Sequence, residues 1–110
     1  MGLDLEISPQ ETKRGLDEGT VVLLDVREPA EYDICSIQGA RLIPMNTIPG
    51  RLQELVELAE SGTLVVYCHH GVRSLNVVEW LRRQAVGNCC SLAGGIERWS
   101  TEIDPAVPRY

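Results

Sequence analysis

Apolar residues along this chain fall in short blocks, and the blocks alternate between two periods. Residues 20–26 (TVVLLDV) and 63–67 (TLVVY) are continuous apolar runs of strand length, the pattern of strands buried on both faces. Residues 40–43, ended by Pro44, and residues 89–92 predict two further short strands. Between these runs the spacing becomes helical. After Pro49, Leu52, Leu55, Val56 and Ala59 share a face while Glu54, Glu57 and Glu60 point outward. Leu75, Val78, Leu81 and Ala85 share another, on a helix predicted to start at Ser74 and close before Gly87. Ser8-Pro9-Gln10-Glu11 forms a capping box with proline at the first helical position, and the helix it opens stops near Gly19. Pro29 begins a helical turn over residues 28–33, and Gly94-Gly95 turns the chain tightly into a short helix through Trp99. Trp80 and Trp99 read as packing residues.

Strands that alternate with helices through connections of this length pair in parallel with right-handed crossovers. The expected fold is therefore α/β: a small three-layer sandwich whose central, mostly parallel sheet carries helices on both faces, with residues 1–110 forming a single domain. No apolar run approaches the roughly 18 residues of a membrane span. The N-terminal MGLDLEIS lacks a secretory pattern, and Glu6 breaks the myristoylation pattern. A net charge of -6 argues against an extended nucleic-acid footprint. Four cysteines (Cys35, Cys68, Cys89, Cys90) include an adjacent pair and no C-x-x-C, a poor framework for disulfides or zinc. A reduced, cytoplasmic chain is expected, with no membrane partner and a monomer favoured. On a strand, Cys89 and Cys90 face opposite sides and read as packing; Cys35 lies in a connection that could be exposed.

Chemistry concentrates at one strand end, in Tyr67-Cys68-His69-His70-Gly71-Val72-Arg73-Ser74. A thiol follows a buried strand, and a tight loop then leads into a helix N-terminus. Loop N–H groups and the positive helix end converge on the thiol and stabilise the thiolate, which is the nucleophile. Gly71 lets the backbone turn inward. No carboxylate lies between Glu60 and Glu79, while His69, His70 and Arg73 do, so a local positive field suited to a small anionic substrate is expected. Arg73 either contacts that substrate or pairs with a carboxylate and braces the loop. Adjacent Cys68, His69 and His70 cannot easily face one ion, so neither a metal nor a cofactor is expected.

These residues resemble a known family. The chain is similar to single-domain rhodaneses over nearly its whole length. The resemblance rests on Leu24-Asp25-Val26-Arg27-Glu28 with Glu31-Tyr32, Ile37-Gln38-Gly39-Ala40 with Ile43-Pro44, the Cys68–Ser74 loop, and Gly94-Gly95-Ile96-Glu97-Arg98-Trp99. It implies a sulfurtransferase in which Cys68 takes the outer sulfur of thiosulfate or of a persulfide donor, then passes it to cyanide, a thiol or a carrier protein. It further implies that amides of residues 69–74 cradle the persulfide, and that Asp25 and Arg27 form a bracing ion pair nearby. Where many members carry Gly-His, this chain has Cys35-Ser36. The tail Ile103-Asp104-Pro105-Ala106-Val107-Pro108-Arg109-Tyr110 resembles the end of rhodanese modules fused to adenylyltransferases, which implies a partner-specific carrier as an alternative role. A phosphatase or arsenate reductase on the related fold would need five residues between cysteine and arginine; four separate Cys68 from Arg73.

Overall fold

The computed structural model describes residues 4–110; the first three residues of the N-terminal stretch considered above lie outside the described residues. Five parallel strands, β1 (Glu6–Ile7), β2 (Val21–Asp25), β3 (Arg41–Leu42), β4 (Thr63–Tyr67) and β5 (Cys89–Leu92), form one sheet in the order β1-β5-β4-β2-β3. The helices are α1 (Pro9–Glu18), α2 (Pro29–Ile34), α3 (Leu52–Ser61), α4 (Val72–Arg83) and α5 (Gly95–Glu102), and a 3-10 segment covers Met45–Arg51.

Side-chain alternation divides the core into two layers. Val22 and Leu24 of β2, Leu64 and Val66 of β4 and Cys68 just after it pack with Leu55 and Ala59 of α3 and Val77, Val78 and Leu81 of α4. Leu23 of β2 and Val65 and Tyr67 of β4 face the other way, onto Ile96 and Trp99 of α5 and Leu16 of α1. Helices therefore cover both faces, as the sequence pattern predicts. Cys89 joins the first layer and Cys90 the second, in line with their alternation.

Local chemistry sets the ends of the elements. Ser8 Oγ accepts the Glu11 N–H at 3.1 Å, and Gly19 closes α1 in the left-handed region at φ 75°. The pattern misses β1, a two-residue strand with one polar residue and no adjacent apolar pair such as Leu42-Ile43 at β3. It also misses the 3-10 segment, where Pro49 obscures the turn. Cys35 is not exposed but buried, 7% accessible, against the second layer. Its connection is drawn inward because the Cys35 carbonyl accepts Arg27 Nη2 at 2.6 Å. No helix among the described residues is long and apolar enough to cross a membrane.

Candidate active site

Cys68 follows β4, the middle strand of the sheet, at its carboxyl end, the edge where such sheets bind ligands. Gly71 stands at φ 104° and acts as the N-cap of α4, a backbone geometry that disfavours any side chain. The helix consequently begins at Val72, two residues before the Ser74 start expected from its apolar face. The turn closes around sulfur. Cys68 Sγ accepts the N–H of Gly71 at 3.1 Å and of Ser74 at 3.3 Å, and lies 3.4 Å from Ser74 Oγ. With the positive end of a 12-residue helix behind them, these groups stabilise negative charge on Sγ in a place that is 1% exposed.

Two other elements hold this loop. Ser91 of β5 places its Oγ 2.7 Å from Ser74 Oγ, and both serines are buried. When Ser74 O–H points at a thiolate, Ser91 O–H is the group left to donate to Ser74. Ser91→Ala is expected to slow alkylation of Cys68 by iodoacetamide about fivefold, the equivalent of one buried hydrogen bond. An unchanged rate would reduce Ser91 to a packing residue. From the other side, the N–H groups of Ile96 and Glu97 donate to the carbonyls of Cys68 and His69 at 2.9 and 3.1 Å. That approach requires Gly95: a Cβ there would sit 2.4 Å from the His69 carbonyl oxygen and 2.5 Å from that of Cys68. The Gly94-Gly95 pair is thus more than a tight turn after a strand.

The guanidinium groups around the loop are paired with carboxylates. Arg73 donates to both oxygens of Glu31 on α2, at 2.8 and 3.0 Å. Of its two expected roles, the bracing one is what the geometry contains. The Arg73 hydrogen bonds, together with the Glu28 N–H and the Tyr110 hydroxyl, outweigh burial and hold the Glu31 carboxyl down at about 2. Asp25 and Arg27 form the expected ion pair at 2.7 Å, with both side chains fully buried. Burial opposes the Arg27 charge, but hydrogen bonds to Asp25 and Tyr110 raise its pKa regardless.

Tyr110 ties these groups together. Its hydroxyl accepts from Arg27 Nη1 at 2.7 Å and donates to Glu31 Oε1 at 2.8 Å, and its ring stacks on His69 at 3.9 Å. Burial, then the Glu31 carboxylate, pushes the phenol up to about 12, so it keeps its proton across the neutral range. His69 stacks on His70 as well, at 4.0 Å, and its Nε2 is buried without a hydrogen bond, 4.0 Å from Glu97 Oε1. Burial and then His70 lower the His69 pKa, which favours the neutral ring. Val72 is exposed beside the loop. Next to it, Val26, Glu28, Met45, Asn46, Pro49 and Arg73 line a cleft of about 340 Å³.

The local positive field expected from the sequence is therefore corrected. The segment lacks carboxylates only along the chain; in space Glu31 arrives from α2 and Glu97 from α5. Sequence reasoning also missed Ser91 and Tyr110 as parts of the site. Ser91 carries no signal beyond one polar residue in a short apolar strand, and Tyr110 none beyond a lone aromatic after two prolines. The remaining cysteines lack such an environment. Burial raises the Cys89 pKa and pushes the Cys90 thiol up to about 11, where it stays protonated.

A model for the rhodanese-like domain matches residues 8–102. A sulfurtransferase of Allochromatium vinosum is 34% identical over 96 residues, covering 87% of each chain. A probable adenylyltransferase/sulfurtransferase, MoeZ of Mycobacterium tuberculosis, is 36% identical over 105 residues, 94% of this chain but 26% of its own. The chain thus spans about a quarter of the length of that relative. Among solved structures, a rhodanese-related protein from Thermoplasma volcanium superposes with a TM-score of 0.80 at 29% identity, covering 97% of this chain and all of its own.

Proposed function

The chain belongs to the rhodanese-like family of sulfurtransferase domains, and on that premise we propose that it moves a sulfane sulfur from a thiosulfate or persulfide donor to a thiophilic acceptor through a persulfide on Cys68. The observation that carries this reading is a buried sulfur atom that accepts two backbone N–H groups and lies 3.4 Å from a hydroxyl inside a loop of six residues. Four residues between Cys68 and Arg73 leave room for one added sulfur rather than for a tetrahedral phosphate.

In the first half-reaction the Cys68 thiolate attacks the outer sulfur of the donor. With thiosulfate, the bond between the two donor sulfurs breaks and sulfite leaves with its electron pair. Charge is conserved, and Cys68 ends as a persulfide anion. The Gly71 and Ser74 N–H groups and the Ser74 hydroxyl are placed to follow the charge as it moves one atom outward. In the second half-reaction cyanide, or the thiolate of a small molecule or carrier protein, takes the outer sulfur and regenerates the Cys68 thiolate. The likeness of the tail to rhodanese modules fused to adenylyltransferases, a combination that the name of MoeZ also carries, makes a protein the acceptor in this reading. Four free cysteines favour a reducing compartment, the cytoplasm.

Intact-mass analysis after thiosulfate treatment tests the proposal. One added sulfur, mapped to Cys68 and removed by dithiothreitol, is the expected result. An adduct confined to Cys35, Cys89 or Cys90 would overturn it.

A further inference from the structure

The groups around the Cys68 loop carry opposite charges in an arrangement that bears on which donor it takes. Asp25, Glu28, Glu31 and Glu97 stand at its rim against Arg27, Arg73 and Arg109. Each guanidinium has a carboxylate partner. Arg27 is buried on Asp25, Arg73 is gripped by both oxygens of Glu31, and Arg109 donates from Nε to Glu97 at 2.7 Å. His69 favours its neutral form. Glu31 cannot easily swing away from Arg73. Four hydrogen bonds hold its carboxylate: two from Arg73, one from the Glu28 N–H at 3.0 Å and one from the Tyr110 hydroxyl at 2.8 Å. The Tyr110 end of that clamp is itself anchored, since Val107 is buried and its carbonyl accepts the Ser100 hydroxyl at 2.6 Å.

We propose that Glu31, clamped by Tyr110, sets the donor specificity of this site: by neutralising Arg73 it disfavours dianionic donors such as thiosulfate and leaves the loop matched to a thiol-borne persulfide carrying less charge at the reacting end. The inference rests on Cys68 being the sulfur acceptor. Attraction for the single charge on the reacting sulfur comes from the amides of the loop, whose reach is short. A second negative charge, on the sulfonate of thiosulfate, must sit outside that ring, where it meets paired cations and the Glu28 carboxylate of the neighbouring cleft. Glu31 is a positioning and specificity residue here, because it takes no part in bond making.

Two donors that deliver the same sulfane sulfur with different charge provide the test. Thiosulfate carries two negative charges. Methanethiosulfonate carries one, and leaves as methanesulfinate when Cys68 takes its outer sulfur. The quantity read is kcat/KM for thiosulfate divided by that for methanethiosulfonate, with cyanide as acceptor. Glu31→Gln keeps the shape and one of the two acceptor oxygens facing Arg73 and removes the charge; its NH2 end forfeits the bonds the other oxygen received, a loss both sulfur donors meet alike. The variant is expected to raise the ratio about fivefold at low ionic strength, through KM rather than kcat, with the gain shrinking as salt is added. Arg73→Met exposes the Glu31 carboxylate and is expected to move the ratio the other way by a similar factor. A merely structural Glu31 would change both donors' kcat/KM alike and leave the ratio fixed in the Gln variant, and that result would overturn the proposal.

A second measurement separates this failure from failure of the sulfur-transfer reading. Cys68 is alkylated by iodoacetate, an anion, and by iodoacetamide, which is neutral, and the two rates are compared by peptide mapping. Glu31→Gln should favour iodoacetate by a severalfold change, whether or not Cys68 accepts sulfur. If that preference shifts while no donor loads Cys68, the charge argument stands and the proposed function falls. If it stays fixed, the specificity role of Glu31 falls.

Discussion

Cys68→Ala should lower sulfur transfer to background, a loss of more than about 10³-fold, because in the proposed mechanism the residue supplies the atom that carries the sulfur and no other group substitutes for it. Cys35, Cys89 and Cys90 are all buried, and none sits inside a ring of N–H donors. The persulfide adduct should vanish from the intact mass of the variant together with turnover. The fold should survive. Cys68 contributes one sulfur atom to the first core layer, and the contacts that position the loop run through backbone: the Cys68 carbonyl to the Ile96 N–H, and the His69 carbonyl to the Glu97 N–H. Loss of that sulfur costs on the order of 1 kcal/mol, which for a domain of this size lowers Tm by about 4–8 °C. Cys68→Ser sharpens the comparison, since its hydroxyl can accept the same two N–H groups. Turnover retained above about a tenth of the unmodified protein in either variant would place the transferring atom elsewhere.

The path from sequence to this site is uneven for physical reasons. Periodicity reports burial along one element, so the strands β2 and β4, the faces of α3 and α4, and the position of Cys68 at a strand end were all legible. The cysteine loop was legible for a further reason: its N–H donors, its glycine and its helix N-terminus are contiguous in the chain. What escaped is what the fold brings from a distance. Glu31 lies 42 residues before Arg73, Ser91 lies 17 after Ser74, and Tyr110 lies 83 after Arg27. A run of residues without carboxylates therefore suggested an unpaired Arg73, which the packed protein pairs with Glu31. The same reasoning explains Cys35. A connecting segment looks exposed until a buried guanidinium needs one more carbonyl, and Arg27 takes the one at Cys35.

That guanidinium carries the other large expected effect. Arg27 and Asp25 are both wholly enclosed, and the pair costs desolvation energy that only its mutual contacts offset. Arg27 Nε and Nη2 donate to Asp25 at 2.7–3.2 Å, Nη2 also reaches the Cys35 carbonyl, and Nη1 reaches the Tyr110 hydroxyl. Arg27→Ala leaves a buried carboxylate without its cation and should cost about 3–5 kcal/mol, a large part of the 5–15 kcal/mol typical of a domain. The midpoint of urea unfolding should fall accordingly. Asp25 would be left with the Arg27 backbone N–H at 2.9 Å as its remaining donor within the pair. The damage should also reach the active site, because Tyr110 and the Cys35 connection lose an anchor together. Replacing both partners, as in Asp25→Asn with Arg27→Met, removes both charges and should recover a substantial part of the lost stability, since the penalty in the single variant is an unpaired charge rather than a missing contact. The recovery should not extend to the tail, because methionine gives the Tyr110 hydroxyl no donor. Were Arg27→Ala to lie within about 1 kcal/mol of the unmodified protein, the buried pair would not be what holds the end of β2 to α2 and the C-terminal tail.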